Sequence, residues 1–283
     1  MPRPVPKLSN CYVPLPLPPQ TLAAEADLVA SRGEGDEARQ THSLRQLCIE
    51  TDVTGAAGSS LLELGHTKVL CEVNITTSDF PSTTSINMEQ GTILCKVQFA
   101  SHIGVDSVTQ RSQAVVPLES TVSSGKLNSE TMTKEADLSY QLSSAISPAI
   151  PLEKFPKCVI VIKATILQDD GSSLSACIVA ASMALMDASV EIFDVVTSST
   201  VAIVLNQSGD AVYLADPSQV EESHAHASIC IAMLPNRKEV TLWNQSGKLS
   251  SEMFNEGMKL CRDGCRTFHK FMREHWVSSS SST

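Results

Sequence analysis

Short apolar segments, separated by turns, dominate the first half of the chain. Their two-residue alternation and their β-branched content are typical of strands. The pattern predicts four of them, at Leu44–Thr51, Ser59–Leu64, Lys68–Ile75 and Gly91–Ser101. Because the two middle segments are joined by Gly65-His66, we expect a tight hairpin between them. In the last segment Ile93, Cys95, Val97 and Phe99 share the apolar face.

The centre of the chain carries helical patterns. A Ser/Thr-rich stretch from about 106 to 131 keeps no strand or helix period and is predicted to be a long loop. Residues 133–147 fit a helix, capped by Thr133 and ended by Pro148. After the apolar strand Cys158–Leu167 and the turn Gln168–Gly171, the segment Ser172–Ala188 is apolar all round. Such a helix is expected to lie buried between two layers.

The second half repeats the order of strands followed by a helix. The predicted strands are Ser199–Leu205, Ala211–Ala215, Ser228–Leu234 and Glu239–Trp243. A helix from Ser250 to about Trp276 is indicated by apolar residues at steps of four and three, namely Phe254, Met258, Cys261, Cys265, Phe268 and Met272. The sequence therefore predicts an α+β fold, with two βαβ-type halves and mixed sheets packed around a buried central helix.

The two ends of the chain differ from this core. Seven of the 14 prolines fall in the first 20 residues, so residues 1–42 are predicted to form a tail. Residues 278–283 are a Ser-rich tail, which leaves 43–277 as the folded domain. No apolar h-region and no apolar run of membrane length occurs in the sequence. We therefore expect a soluble intracellular protein without a membrane contact.

Charge and cysteine content restrict the function. A net charge of −10 argues against a protein that binds nucleic acid over its whole surface. A local exception lies in 259–276, which has a balance of +3. Its charged residues are Lys259, Arg262, Arg266, Lys270 and Arg273 against Asp263 and Glu274. The nine cysteines are scattered and include no CxxC pair, which favours buried thiols in a reducing compartment over a disulfide framework.

Several blocks then resemble one family. Residues 58–69 (GSSLLELGHTKV) are similar to the Gly-Ser-x-x-x-Glu-x-Gly-x-Thr-Lys-Val hairpin of ribonuclease PH-like proteins. Further blocks match in order at 152–157, Val159–Leu167, Asp170-Gly171, Ala180–Ala188 and Ile231–Pro235. The resemblance covers about 43–277. It implies the ribonuclease PH-like fold, also described as ribosomal protein S5 domain 2-like.

Active members of this family cleave the 3′-terminal RNA linkage with inorganic phosphate. The resemblance places their phosphate-binding Gly-Thr/Ser-Arg at Gly171–Ser175, where Leu174 replaces the arginine. Their Glu-Ala-Asp acid falls on Ser228, and Lys134 is the one basic residue within the predicted helix 133–147, where active members carry arginines. An apolar side chain cannot neutralise phosphate, and a hydroxyl does not titrate near neutral pH. We therefore expect no catalytic residue, no cofactor and no metal, and the rival hypothesis is an active phosphorolytic 3′→5′ exoribonuclease.

An inert copy of this fold resembles the ring subunits of the eukaryotic RNA exosome. That resemblance implies other ribonuclease PH-like subunits in a hexameric ring, S1/KH-type cap subunits and RNA in a central channel as partners. It also implies a nuclear, nucleolar and cytoplasmic location. One subunit type is most similar in its N-terminal tail, in Asp216-Pro217 with Glu221-Glu222, and in Gly264–Arg266.

The remaining candidate residues have two interpretations each. Arg111, Lys126 and Lys134 are candidates for contact with RNA, and an ordinary solvated loop explains them equally well. Three other groups resemble reactive sites, but a structural role is favoured for each; they are His224 with His226, Cys261 with Cys265, and Asp169 with Asp170.

Overall fold

A computed structural model describes residues 11–12, 41–77, 90–100, 124–205 and 210–280. The strands are β1 (Cys11–Tyr12), β2 (Leu47–Thr51), β3 (Gly58–Leu64), β4 (Thr67–Thr77), β5 (Thr92–Phe99), β6 (Cys158–Gln168), β7 (Thr197–Leu205), β8 (Ala211–Ala215), β9 (Ala227–Leu234) and β10 (Glu239–Gly247). The α-helices are α1 (Ser124–Ile146), α2 (Ser173–Asp187), α3 (Gln219–His224) and α4 (Ser251–Ser280). Two short 3₁₀ turns, Ser147–Ala149 and Leu152–Lys154, join α1 to β6.

The strands form two sheets. The first has the order β1-β2-β3-β4-β6-β5, and only its β5–β6 pair is parallel. The second has the order β10-β9-β7-β8 and is antiparallel throughout. The predicted hairpin joins β3 to β4, with Leu64 opposite Thr67 and Gly65 at a φ of +60°. Glycine suits that position because other residues rarely adopt positive φ.

Helix α2 is the centre of the molecule. It contacts β3 and β4 on one side and β7 on the other. Twelve of its fifteen residues, Leu174 to Leu185, are buried, so no face of the helix along this stretch is exposed to solvent. The predicted α+β fold with two halves around a buried central helix is confirmed.

Each outer helix covers one sheet. The apolar stripe of α4 packs on β7 and β9, and Cys261, Phe268 and Met272 on it are each at most 2% exposed. Helix α1 lies along β5, the edge strand of the first sheet. There the Val97 N–H donates to Ser139 Oγ and the Phe99 N–H donates to Glu135 Oε1, both at 2.8 Å. The side chains of α1 therefore satisfy the edge that β5 leaves unpaired.

Some predicted boundaries are wrong. Helix α1 begins at Ser124, inside the predicted loop and nine residues before Thr133, while residues 106–123 lie outside the described part of the chain. The N-terminal tail contains β1, which pairs with β2. The Ser-rich tail is helical as far as Ser280, because α4 continues beyond Trp276.

Two further elements differ from the prediction. Helix α3 lies between the predicted strands Ala211–Ala215 and Ser228–Leu234, where no helix was predicted, and its capping box is formed by Ser218 and Glu221. Strand β10 is longer than predicted and continues to Gly247, paired with Ala227 of β9. None of the helices described in this structure is long and apolar enough to cross a membrane.

Candidate functional site

The loop between β6 and α2 is where the resemblance places a phosphate site. Its backbone is unusual, because Gly171 has a φ of +82° and Ser172 a φ of +53°. Ser172 is the N-cap of α2 but its side chain makes no capping bond; it donates instead to the Pro217 carbonyl at 3.1 Å. The amides at the beginning of such a helix are donors that suit an anion.

Leu174 lies in the first turn of α2. It is 8% exposed and belongs to the apolar core that surrounds the central helix. The position where the resemblance places an arginine is therefore used for packing here. It supplies neither a positive charge nor a hydrogen-bond donor to the loop.

The donors of the loop are bound to carboxylates of the chain itself. Asp169 Oδ1 accepts from the Gly171 N–H at 3.2 Å and from the Ser173 hydroxyl. Glu222 Oε1 accepts from the Ser172 N–H at 2.8 Å. An incoming phosphate would have to displace both carboxylates or bear their repulsion. The predicted structural role of Asp169 agrees with these contacts.

Arg45 is the guanidinium beside this loop, and Asp216 holds it. Its Nε and Nη2 each donate to one oxygen of Asp216 at 2.9 Å. The other donors of the guanidinium reach the carbonyls of Asp170 and Gly171 at 2.7 and 3.1 Å. Burial alone would lower the pKa of Arg45, but the charge and hydrogen bonds of Asp216 raise it above its ordinary value. The Arg45 guanidinium is therefore bound to groups of the chain itself, and these bonds hold the loop in place.

Helix α3 packs directly against the loop. A Cβ on Gly171 would lie 2.6 Å from the Gln219 nitrogen and 2.7 Å from the Pro217 carbonyl oxygen. Desolvation by the surrounding atoms raises the pKa of Glu222, the α3 residue that accepts from Ser172. The loop is thus covered by a second element that brings its own negative charge.

Ser228, the position where the resemblance places an acid, lies near the same end of α2. It opposes Ala202 of β7 and Ser246 of β10. Side chains alternate along a strand, so Ser228 shares a face with Cys230, whose Sγ lies 3.5 Å from Ser175 Oγ on α2. The structure therefore brings positions 174 and 228 to one region, and neither carries a charge.

Of the three candidates for RNA contact, the structure describes the side chain of Lys134. Arg111 lies outside the described residues. Lys126 is in the first turns of α1, and only its backbone is described. Lys134 is exposed on the same helix.

The groups with a favoured structural role are placed as follows. His224 is exposed, and its Nδ1 lies 2.8 Å from the Val220 carbonyl oxygen. Cys261 and Cys265 are buried, their thiols donate to backbone carbonyls of the second sheet, and burial raises the pKa of both. Among the described residues no group of three or more His, Cys, Asp or Glu is arranged to hold a metal.

The sequence did not predict Arg45, its bond to Asp216, or the contact of Glu222 with the loop. Arg45 and Asp216 are separated by 171 residues, so no local pattern links them. The Ser218-x-x-Glu221 spacing is a capping-box pattern and could have revealed α3.

Comparison with known proteins supports the fold. The models of the 3′ exoribonuclease family match the chain as domain 1 over residues 43–191 and as domain 2 over residues 194–264. The boundary falls just before β7, between the two halves of the fold. The ribonuclease PH fold expected from the sequence is confirmed.

Two of the related proteins are named as components of the exosome complex. The exosome complex component RRP41-like of Arabidopsis thaliana is 28% identical over 260 residues, covering 92% of this chain and 89% of that protein. The exosome complex component MTR3 of Mus musculus is 27% identical over 268 residues, covering 93% and 91%. MTR3, mRNA transport regulator 3, is the subunit type that the tail, Asp216-Pro217 and the last helix resemble.

A solved structure shows the same fold at lower identity. The Archaeoglobus fulgidus exosome with RNA bound to the active site has a TM-score of 0.62 and 21% identity to this chain. The match covers 86% of this chain and 96% of that one. It therefore extends over both halves of the fold.

Proposed function

We propose that this chain, which belongs to the 3′ exoribonuclease family, is a non-catalytic ring subunit of an RNA exosome. In that role it supports 3′→5′ processing and degradation of RNA by forming part of the wall of the channel. Its partners are other ribonuclease PH-like subunits in a hexameric ring, S1/KH-type cap subunits, and RNA in the channel. The location that goes with this role is the nucleus with its nucleolus, and the cytoplasm.

One observation carries the non-catalytic part of the proposal. At the beginning of α2 the loop donors are bound to Asp169 and Glu222, and Leu174 is packed into the core. Phosphorolysis requires inorganic phosphate beside an RNA phosphate, and the repulsion of two anions must be offset by positive charge. This loop offers the opposite charge balance, because its nearest guanidinium, Arg45, is already bound to Asp216.

The edge of the second sheet supports the ring assignment. Among the described strands, β10 pairs with β9 alone, and its residues from Val240 to Gly247 carry no charge. Trp243 on this strand is 53% exposed and Val240 is 47% exposed. An uncharged edge with exposed apolar residues is typical of a surface that another chain covers.

The ring assignment is tested by co-expressing the chain with ribonuclease PH-like exosome subunits from the same source and measuring native masses. We expect a stable assembly that contains several different subunits of this fold. The test variant is Trp243→Glu, which puts a charge on the uncharged edge and is expected to reduce recovery of the assembly. Recovery of the wild-type chain as a lone monomer at physiological salt would refute the ring.

The second candidate function is an active phosphorolytic exoribonuclease. It is favoured by the loop backbone itself, because Gly171, Ser172 and the Ser173 hydroxyl stand at the beginning of α2 as an anion site requires. The two candidates differ in one measurable property, the phosphate-dependent shortening of RNA by the purified chain.

A further inference from the structure

The outward flank of α4 carries a continuous row of basic side chains. Residues Lys259, Arg262, Arg266, His269 and Arg273 follow one another at steps of three, four, three and four. These steps place them on one face of a helix, and with a rise of about 1.5 Å per residue the row is about 21 Å long. We call these five residues the basic row.

The basic row points away from the core. The buried stripe of the same helix includes Cys261, Phe268 and Met272, which lie on another face. All members of the row except His269 are exposed, and His269 is half-buried. The row is therefore accessible along its whole length in this chain.

Acidic residues of α4 neutralise little of this charge. Asp263 pairs with Arg266 at 2.7 Å, and both side chains are about half exposed. Glu274 lies 3.9 Å from Lys270, which is not part of the row. Lys259, Arg262 and Arg273 make no ion pair with a described residue. The row stands out on a protein whose net charge is −10.

We propose that the basic row is a binding surface for the phosphodiester backbone of single-stranded RNA, separate from the degenerate loop at α2. The choice of RNA as the polyanion rests on the proposed function. That a polyanion binds here is inferred from the charge and the spacing of the five residues of the basic row on α4.

The composition of the row favours RNA over a protein partner. The core of a protein–protein interface is depleted in charged residues and contains apolar or aromatic ones. None of the five members of the row has an apolar side chain. A phosphate chain needs only cations at regular intervals, and arginine can bind a phosphate with two parallel hydrogen bonds.

The row also predicts the kind of recognition. Apart from the half-buried imidazole of His269, it has no aromatic ring on which a base could stack, so the binding is expected to depend little on sequence. Contacts to phosphate release counterions, so the affinity is expected to fall as salt concentration rises.

The test compares two triple variants of the full-length chain. In the first, Lys259→Gln, Arg262→Gln and Arg273→Gln remove the three unpaired members of the row. In the second, Lys157→Gln, Lys238→Gln and Lys248→Gln remove three exposed lysines elsewhere, so that the net charge changes by the same amount. Binding of a fluorescently labelled 20-nucleotide poly(U) RNA is measured by anisotropy over a range of salt concentrations.

We expect the row variant to lose about 0.7 in the slope of log K against log salt for each contact, about 2 in all. At 0.1 M salt that corresponds to an affinity about a hundredfold weaker, if affinities converge near 1 M. The control variant should keep most of the wild-type slope. Equal slopes for the two variants would overturn the proposal.

A glutamate-rich peptide serves as the competing ligand. If that peptide binds the wild type and not the row variant, while RNA binding is unchanged, the row serves an acidic protein segment and the proposal is wrong. None of these measurements requires a ring. A failure here is therefore distinguishable from a failure of ring assembly, which is seen in the native masses.

Discussion

Arg45 and Asp216 form a buried, two-pronged ion pair between the beginning of the first sheet and the end of β8. Both N···O distances are 2.9 Å, and the two side chains are 8% and 2% exposed. The same guanidinium holds the carbonyls of the loop before α2. One residue thus joins the two halves of the fold at the loop where the resemblance places a phosphate site.

Removing the Arg45 side chain is expected to leave the buried Asp216 carboxylate without the guanidinium that neutralises it. We predict that Arg45→Ala lowers the free energy of unfolding by about 3–5 kcal/mol, measured by urea denaturation. The control is Arg266→Ala, which breaks an exposed ion pair with Asp263 and should cost about 1 kcal/mol or less. Equal losses in the two variants would contradict the role of the buried pair.

Gly171 is required by both its backbone and its neighbours. We predict that Gly171→Ala destabilises the fold by more than about 1 kcal/mol, because φ is +82° and the new Cβ would meet the backbone of α3. Gly55→Ala is the matched control, since nothing lies within 4 Å of its Cβ position. Thermal unfolding followed by circular dichroism separates the two. Similar melting temperatures would show that α3 can move away from the loop.

Ser139 tests whether α1 protects the edge of β5. Ser139→Ala removes the acceptor of the Val97 N–H and is predicted to cost about 1–3 kcal/mol. Ser144→Ala is the control, because the Ser144 hydroxyl donates to the backbone carbonyl of Tyr140 in its own helix, and this hydrogen bond is exposed. Hydrogen exchange at the Val97 amide should accelerate only in the Ser139 variant. Unchanged exchange there would refute the edge contact.

His275 makes stability depend on pH. Burial lowers its pKa from the ordinary 6.5, and its Nδ1 has no hydrogen-bond partner among the described residues. The imidazole therefore binds its proton more tightly in the unfolded chain than in the folded one. As far as His275 is concerned, the free energy of unfolding is highest above pH 6.5 and decreases as the pH falls below that value.

The measurement is the free energy of unfolding between pH 7.5 and about 5.5, by urea denaturation, for the wild type and for His275→Gln. We expect the wild type to lose more stability over this range than the variant, which has no imidazole to protonate at this position. Parallel curves for the two proteins would show that His275 is not the titrating group.

The elements with a clear period were predictable from the sequence. Helix α2 was found because its apolar residues cover all sides, and α4 because its stripe keeps steps of four and three. The beginning of α1 was missed because residues 124–132 are mostly polar and show no apolar period. There the structure departs from what local propensity favours.

Only part of the candidate site at the loop before α2 could be predicted from the sequence. Positions 174 and 228 were found through the resemblance to a family. The contacts that hold the loop were not found, because Arg45 meets Asp216 across 171 residues and Glu222 meets Ser172 across 50. Such contacts depend on how two sheets close around α2, which a single sequence does not display.

The central claim, that the loop at α2 no longer supports phosphorolysis, is tested most directly by incubating the purified full-length chain with 3′-labelled RNA, with and without inorganic phosphate. We predict that no nucleoside diphosphate is released under either condition, because Leu174 and the carboxylates of Asp169 and Glu222 leave no place for the attacking phosphate. Release of nucleoside diphosphates that requires phosphate, and that is lost in a Ser173→Ala variant, would contradict the account.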